Sequence, residues 1–234
     1  MTLQEVLDRL ARGKISNLAI CENGKIKEKF LPKVVDAVNE ALSVLYTKFV
    51  IKENSLFIEL YEGRTEYPLT SEHSTRHRTD SIFDAYDYYI RDTDERPFED
   101  DILTVLEVWD DLDRRRPIND PDDPLAVFIG DTNVLSVNYT ASVRVLNVIY
   151  RVKHKELNSN SLIDTVNLPS NLFAALFSYV AYLLHSEINT QEAVANSQKY
   201  LGEFNNHISQ IIESSSLNPD KLVSDVKFNR RGWV

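Results

Sequence analysis

Three stretches of the 234-residue chain hold side chains of the kinds that ligate metals or move protons. EHSTRH at 72–77 sets His73 and His77 four apart, the spacing that puts two imidazoles on one helical face beside a zinc ion. The Glu that follows the first His in HExxH is missing and no cysteine is near, so a solvated loop is the favoured reading. DTDERPFEDD at 92–101 and NDPDDP at 119–124 concentrate carboxylates, but lack the central Gly and the closing Glu of an EF-hand. Carboxylates from Asp92 to Asp101 could instead hold two Mg²⁺ ions for phosphodiester hydrolysis, although no Lys or His stands at a matching spacing. Cys21 has no His partner in sequence and reads as packed rather than reactive. Six glycines fall well short of the ~7% typical of proteins, and none takes a phosphate-loop or dinucleotide spacing. These patterns assign no catalytic residue, no metal and no cofactor.

Two further segments have the chemistry of contact rather than catalysis. FDAYDYYI at 83–90 alternates Asp with Phe and Tyr, and Tyr86, Tyr88 and Tyr89 are candidates for a subunit or tail interface, where Tyr is enriched. The alternative is a loop lying over its own domain. KFNRRGWV at 227–234 places Lys227, Arg230 and Arg231 beside Phe228 and Trp233, with Gly232 between and no acid. A segment this short does not fold alone, because ordering costs on the order of 1 kcal/mol per residue. Either it folds back on its own domain or it anchors another chain, since aromatic and Arg side chains dominate interface hot spots.

The elements that position these segments follow from periodicity. Leu3, Val6, Leu7 and Leu10 predict a short amphipathic helix over 2–12, with Gly13 at its exit. After a linker, Val34, Val38, Ala41, Leu42, Leu45 and Phe49 form one stripe of a helix from about Pro32 to Phe49. SLFIELYEG and TEYPLT alternate around Glu62, Gly63 and Arg64 and predict a hairpin. Further strands are expected at 102–109, 125–129, 134–139 and 143–152. Helical spacing returns from Pro169 to about Ile188, and again from Asn189 through Ile212, so that the last two helices should form an antiparallel pair. The fold class is α+β: a four-helix core from both chain ends (1–52 and 158–216), an inserted β-rich domain (53–157) and an extended C-terminal tail (217–234).

Charge is uneven. Of the 36 acids, 16 lie between Asp80 and Leu125 against 5 Arg, although the whole chain carries only −10. Such a balance disfavours tight nucleic-acid binding, which is built from clustered Lys and Arg. One cysteine excludes an internal disulfide and fits a reducing compartment. The charged start, MTLQEVLDRL, implies no export, and LFAALFSYVAYLL at 172–184 is shorter than the ~18 residues of a membrane span.

Five pieces, in this order and spacing, carry a resemblance. They are LQEVLDRLARGKISNLAI, VVDAVNEALSVLYTKFVIKE, LFIELYEGRTEYPLT with SEHS after it, FAALFSYVAYLLHSEIN, and the terminal KFNRRGWV. Together they resemble the head-to-tail adaptor (connector, or head-completion) proteins of short-tailed bacteriophages, covering both ends of the chain well and the acidic middle poorly. The resemblance implies a structural virion protein assembled in the host cytoplasm, without enzyme activity. Its helical core would form a homo-oligomeric ring, usually a dodecamer, between the portal protein and the tail nozzle protein, with DNA passing through unbound. Lys227, Phe228, Arg230, Arg231, Gly232 and Trp233 would then be the portal-binding residues. Two other classes remain open: a metal-dependent hydrolase using Asp92 to Asp101, and a cytosolic regulatory module that docks partners through its acidic loop.

Overall fold

The structure, a computed structural model, describes residues 1–78, 84–92, 97–130, 133–138 and 143–214. In chain order these form α1 (Leu3–Arg12), β1 (Cys21–Glu22), β2 (Lys25–Ile26) and α2 (Leu31–Lys48). There follow β3 (Glu53–Glu59), β4 (Glu66–Pro68), the single turn α3 (Asp84–Asp87), β5 (Ile90–Arg91), β6 (Ile102–Asp110) and β7 (Arg115–Arg116). The last elements are β8 (Val127–Ile129), β9 (Val134–Val137), β10 (Val145–Val152), α4 (Phe173–Ser186) and α5 (Gln191–Glu213). The fold is α+β, and the chain divides into two compact units. Among the described residues, one is built from Met1–Ile51 together with His154–Ser214, and the other from Lys52–Lys153.

In the helical unit, α1 starts at a reciprocal cap. The Glu5 backbone N–H donates to Thr2 Oγ1 at 3.3 Å, and the Thr2 N–H donates to the Glu5 carboxylate at 3.0 Å. Side chains of α1, α2, α4 and α5 share one buried cluster that includes Leu7, Val38, Leu176 and Phe204. Helix α4 contains no Asp, Glu, Lys or Arg, and its buried Ser178 is satisfied by donating to Ala174 O at 3.0 Å. The exit of α1 is tied to the α4–α5 pair through one carbonyl: Lys14 O accepts from Tyr200 Oη at 3.0 Å and from His185 Nε2 at 3.4 Å. Lys14 also pairs with Glu203 across the same junction. The segment expected as a linker after α1 contains the β1–β2 hairpin, turned by Asn23 (φ 51°) and Gly24 (φ 72°). Left-handed geometry at both turn residues is what Asn-Gly favours, because the primed turn matches strand twist.

The inserted unit holds an antiparallel five-stranded sheet in the order β5-β3-β10-β6-β7 and a three-stranded sheet β4-β9-β8. Strand β10 is central: Leu146, Val148, Tyr150 and Val152 point into the buried cluster, matched by Leu56 and Ile58 on β3. The expected hairpin between SLFIELYEG and TEYPLT does not form. Instead, β3 pairs with β10 and β5, while β4 pairs with β9, so the turn at 62–63 carries the chain from one sheet to the other. Alternation identified both strands correctly as strands but is silent about partners, which are set by long-range burial.

Leu176 is fully buried at the heart of the helical cluster. Leu176→Ala is expected to destabilise the protein by about 2–5 kcal/mol through lost transfer energy and a residual cavity. Denaturant unfolding followed by far-UV circular dichroism checks this, and an unchanged midpoint would contradict the central placement of α4.

Candidate partner-docking face of the inserted unit

Among the described residues, Asp92, Asp100 and Asp101 are engaged as hydrogen-bond acceptors within the inserted unit. Asp92, with a side chain only 3% exposed, accepts from Arg76 Nε at 2.8 Å, from the Phe98 N–H at 2.9 Å and from Ser74 Oγ. Asp100 takes the N–H and hydroxyl of Ser71, each at 2.5 Å. Asp101 takes the Tyr150 hydroxyl at 2.9 Å. In NDPDDP, Asp120 accepts from the Asp122 N–H (3.1 Å) and Asp123 from the Leu125 N–H (2.7 Å), as Asx turns do. His73 and His77 lie in two separate 3₁₀ turns rather than on one helix face. His73 donates from Nδ1 to Asp87 O at 2.9 Å and stacks on Tyr89. Among the described residues no group of three or more His, Cys, Asp or Glu is arranged to hold a metal ion. Burial, opposed by Lys27, raises the Cys21 thiol pKa, which lowers its thiolate content.

Asp110 does the most of this internal work. Its buried carboxylate accepts from the Leu112 and Arg114 N–H groups at 3.0 and 2.9 Å, and from the Nε atoms of Arg114 and Arg116 at 2.9 and 3.0 Å. It thereby shapes the β6–β7 turn and neutralises Arg116, itself 2% exposed.

The three tyrosines expected to act together are separated. Tyr86 is 43% exposed and tilts against Tyr61 at 5.8 Å, whereas Tyr88 is half-buried beside His77. Tyr89 is wholly buried: it donates to Pro68 O at 2.7 Å, meets Tyr67 edge-on, and burial pushes its hydroxyl pKa up. It is a core residue, three positions from the exposed Tyr86 and on a different face. Arg64 gathers the group, with its guanidinium 4.3 Å from the Tyr89 ring centroid and Nη1 donating to Tyr86 O at 2.7 Å.

The face of the five-stranded sheet opposite its core carries an unexpected row. Strand register aligns Arg91, Phe57, Asn147, Trp109 and Arg115 side by side across β5, β3, β10, β6 and β7. Phe57 is 43% exposed, although it sits on the polar phase of β3 between Ser55 and Glu59. The Asn147 carbonyl oxygen is buried and, among the described residues, has no hydrogen-bond partner. Two adjoining clefts of about 330 and 340 Å³ share Arg91 and Val145 along this row. Both signs of charge line them: Arg91 with Asp110, Asp111 and Asp113 in the first, and Arg91 and Arg144 with Glu59 and Glu62 in the second. Glu59 bridges Arg91 at 2.6 Å and accepts from Tyr61 Oη at 2.6 Å. Burial alone would raise the Glu59 pKa, but these two partners hold it below the ordinary carboxylate value. An apolar residue on the solvent phase of an alternating strand was the one sequence signal for this face.

Comparison with protein-family models finds none that matches the chain, and comparison with curated proteins finds no match. No described helix is long and apolar enough to cross a membrane. The basic-aromatic residues Lys227, Phe228, Arg230, Arg231, Gly232 and Trp233 lie outside the described residues.

Two outcomes follow from Asp110. Burial by itself raises its pKa, but the Arg114 and Leu112 hydrogen bonds and the arginine charges hold it below the ordinary value. A folded-state pKa depressed in this way contributes stability that is present above the unfolded value of about 3.9 and is lost as pH falls through the folded value. Asp110→Ala, which leaves Arg116 buried without its counter-charge, is expected to cost about 3–5 kcal/mol at neutral pH. Asp110→Asn should flatten the loss of stability below about pH 4. Thermal unfolding across pH checks both, and an Asn variant with the parent's acid profile would contradict the assignment.

Proposed function

We propose that the chain is a structural head-to-tail adaptor of a short-tailed bacteriophage, one subunit of a ring joining the portal to the tail nozzle. The helical unit is the ring-forming core, made as a four-helix core from both chain ends. The inserted β unit projects contacts for neighbouring virion proteins, and residues 217–234 form the portal anchor. Copies assemble into a ring, a dodecamer in the family the sequence resembles, and DNA passes through without specific binding. The protein resides in the virion.

The observation that carries the reading is the segregation of charge between the two units. Residues 52–153 hold 22 acids against 12 bases, while α4, central to the helical unit, is uncharged. Phe177, Tyr179, Tyr182 and Leu183 of α4 remain only half-buried. Aromatic side chains without charge suit the core of a protein–protein interface, and a closed ring is built by one surface of each copy meeting a different surface of the next. An acidic insertion suits a conduit, because clustered Lys and Arg would hold phosphates. The hydrolase alternative has less support, since Asp92, Asp100 and Asp101 each accept hydrogen bonds from donors of the inserted unit itself.

The test is retention on the portal ring encoded alongside the protein. Removing residues 227–234 is expected to abolish co-sedimentation with that ring while the helical content is kept. Phe228→Ala with Trp233→Ala should reproduce most of the loss, and Arg230→Lys should be milder. Undiminished retention after truncation would overturn the anchor assignment.

A further inference from the structure

Helix α5 packs into the helical cluster through Phe204, Ile208 and Ile211. Its outward face is unlike that of an ordinary surface helix, which turns charged side chains toward water. Among the described residues exposed between Val194 and Ile212, Lys199 alone carries a charge. Val194 and Ile212 themselves are 45% and 59% exposed. Near the middle of this face stands Gly202, a residue type that weakens a helix interior. A Cβ added there would meet nothing within 4 Å, so packing inside the chain does not require the glycine. The face is therefore shallow at Gly202, with the Gln198 and Asn206 amides one turn to either side. Helix α4 offers the opposite relief. Tyr179, Tyr182 and Leu183, spaced three and four apart, share one half-buried side without charge. The Tyr179 ring is backed by Phe204 at 4.8 Å and by Tyr182 at 5.4 Å. Burial, and after it the charge of Glu40 on α2, raises the Tyr179 hydroxyl pKa, which places a carboxylate at the rim of this patch. Among the described residues neither Glu40 nor Lys199 makes an ion pair.

We propose that the outward face of α5 receives the α4 aromatic patch of a second copy, head to tail. The Tyr182 ring settles over Gly202, its hydroxyl reaches the Gln198 or Asn206 amide, and Glu40 of the second copy comes beside Lys199. The two surfaces cannot meet within one chain, because Gly202 lies on the opposite side of α5 from Phe204, against which Tyr179 packs. A centre without charge and an opposite pair at the rim is the composition of a protein–protein interface. The rim pair sets register and partner choice more than affinity. Each copy carries both surfaces on different sides, so the contact repeats from copy to copy, as a ring requires. The inference rests on the reading of α4 as a contact between copies, and adds which surface meets it.

The experiment is sedimentation velocity of the full chain without portal, at concentrations rising through the micromolar range and beyond. The parent is expected to form species larger than a dimer. Gly202→Leu should stay monomeric, yet fold with a raised thermal midpoint, because a better helix former enters open space. Tyr182→Glu should also stay monomeric. An equimolar mixture of the two variants should give a one-to-one dimer and nothing larger, since one copy keeps the α4 patch and the other keeps the α5 face. A mixture that stays monomeric would overturn the proposal and points to α4 meeting α4. A parent that is monomeric throughout would overturn it as well. Loss of assembly in Tyr182→Glu but not in Gly202→Leu would keep α4 as the contact and overturn its placement on α5. Assembly unchanged in both variants would overturn the α4 reading itself, and retention on the portal ring is scored apart from all of these.

Discussion

The arrangement of the whole chain depends on the pairing of β3 with β10, because these strands are the entrance and exit of the inserted unit. The Val152 N–H donates to Lys52 O at 3.0 Å, and Arg151 stands opposite Glu53 at the next rung. Neighbouring antiparallel strands lie about 5 Å apart, so the two ends of a long insertion are held side by side. Insertions are tolerated where the two ends of the inserted segment lie close together, and the helical unit buries its own cluster from α1, α2, α4 and α5. Strand β10 also lies at the centre of its sheet, flanked by β3 and β6, which buries the clasp instead of leaving it at a frayed edge.

With its ends clasped, the inserted unit organises its loops through carboxylates. Asp92 and Asp100 collect donors from the 71–76 segment, Asp101 from Tyr150 on β10, and the buried Asp110 from the β6–β7 turn. Charge-assisted hydrogen bonds of this kind are about twice as strong as neutral ones, and removing either partner leaves a buried group unsatisfied. The acidity of this unit is therefore in part a construction device for loops with little regular structure.

How far the sequence reaches is visible in particular residues. The stripe Val34, Val38, Ala41, Leu42 and Leu45 announces α2, and Val145 to Val152 announces β10, because each buries one regular face. The β1–β2 hairpin carried its signal in Asn23-Gly24, but strands of two residues leave no alternation to detect. Pairing partners were not legible: β3 and β4 look like a hairpin locally, and only the long-range pairing of Tyr67 with Leu135 and of Leu56 with Val148 assigns them to different sheets, whose buried sides share one cluster. Tyr86 and Tyr89 share a motif but not an environment, since Arg64 draws Tyr89 into the core from 25 residues upstream. The cross-strand row Arg91, Phe57, Asn147, Trp109 and Arg115 was hidden for the same reason: it exists only once register is set.

The central functional claim is that copies of this chain form a ring on a portal. Electron microscopy of the full chain mixed with portal rings of the phage proposed to encode it tests this directly. The account expects class averages in which a second ring is stacked coaxially on the portal ring, with one copy of the chain per portal subunit. Bare portal rings beside unassembled subunits, at concentrations well above micromolar, would contradict it.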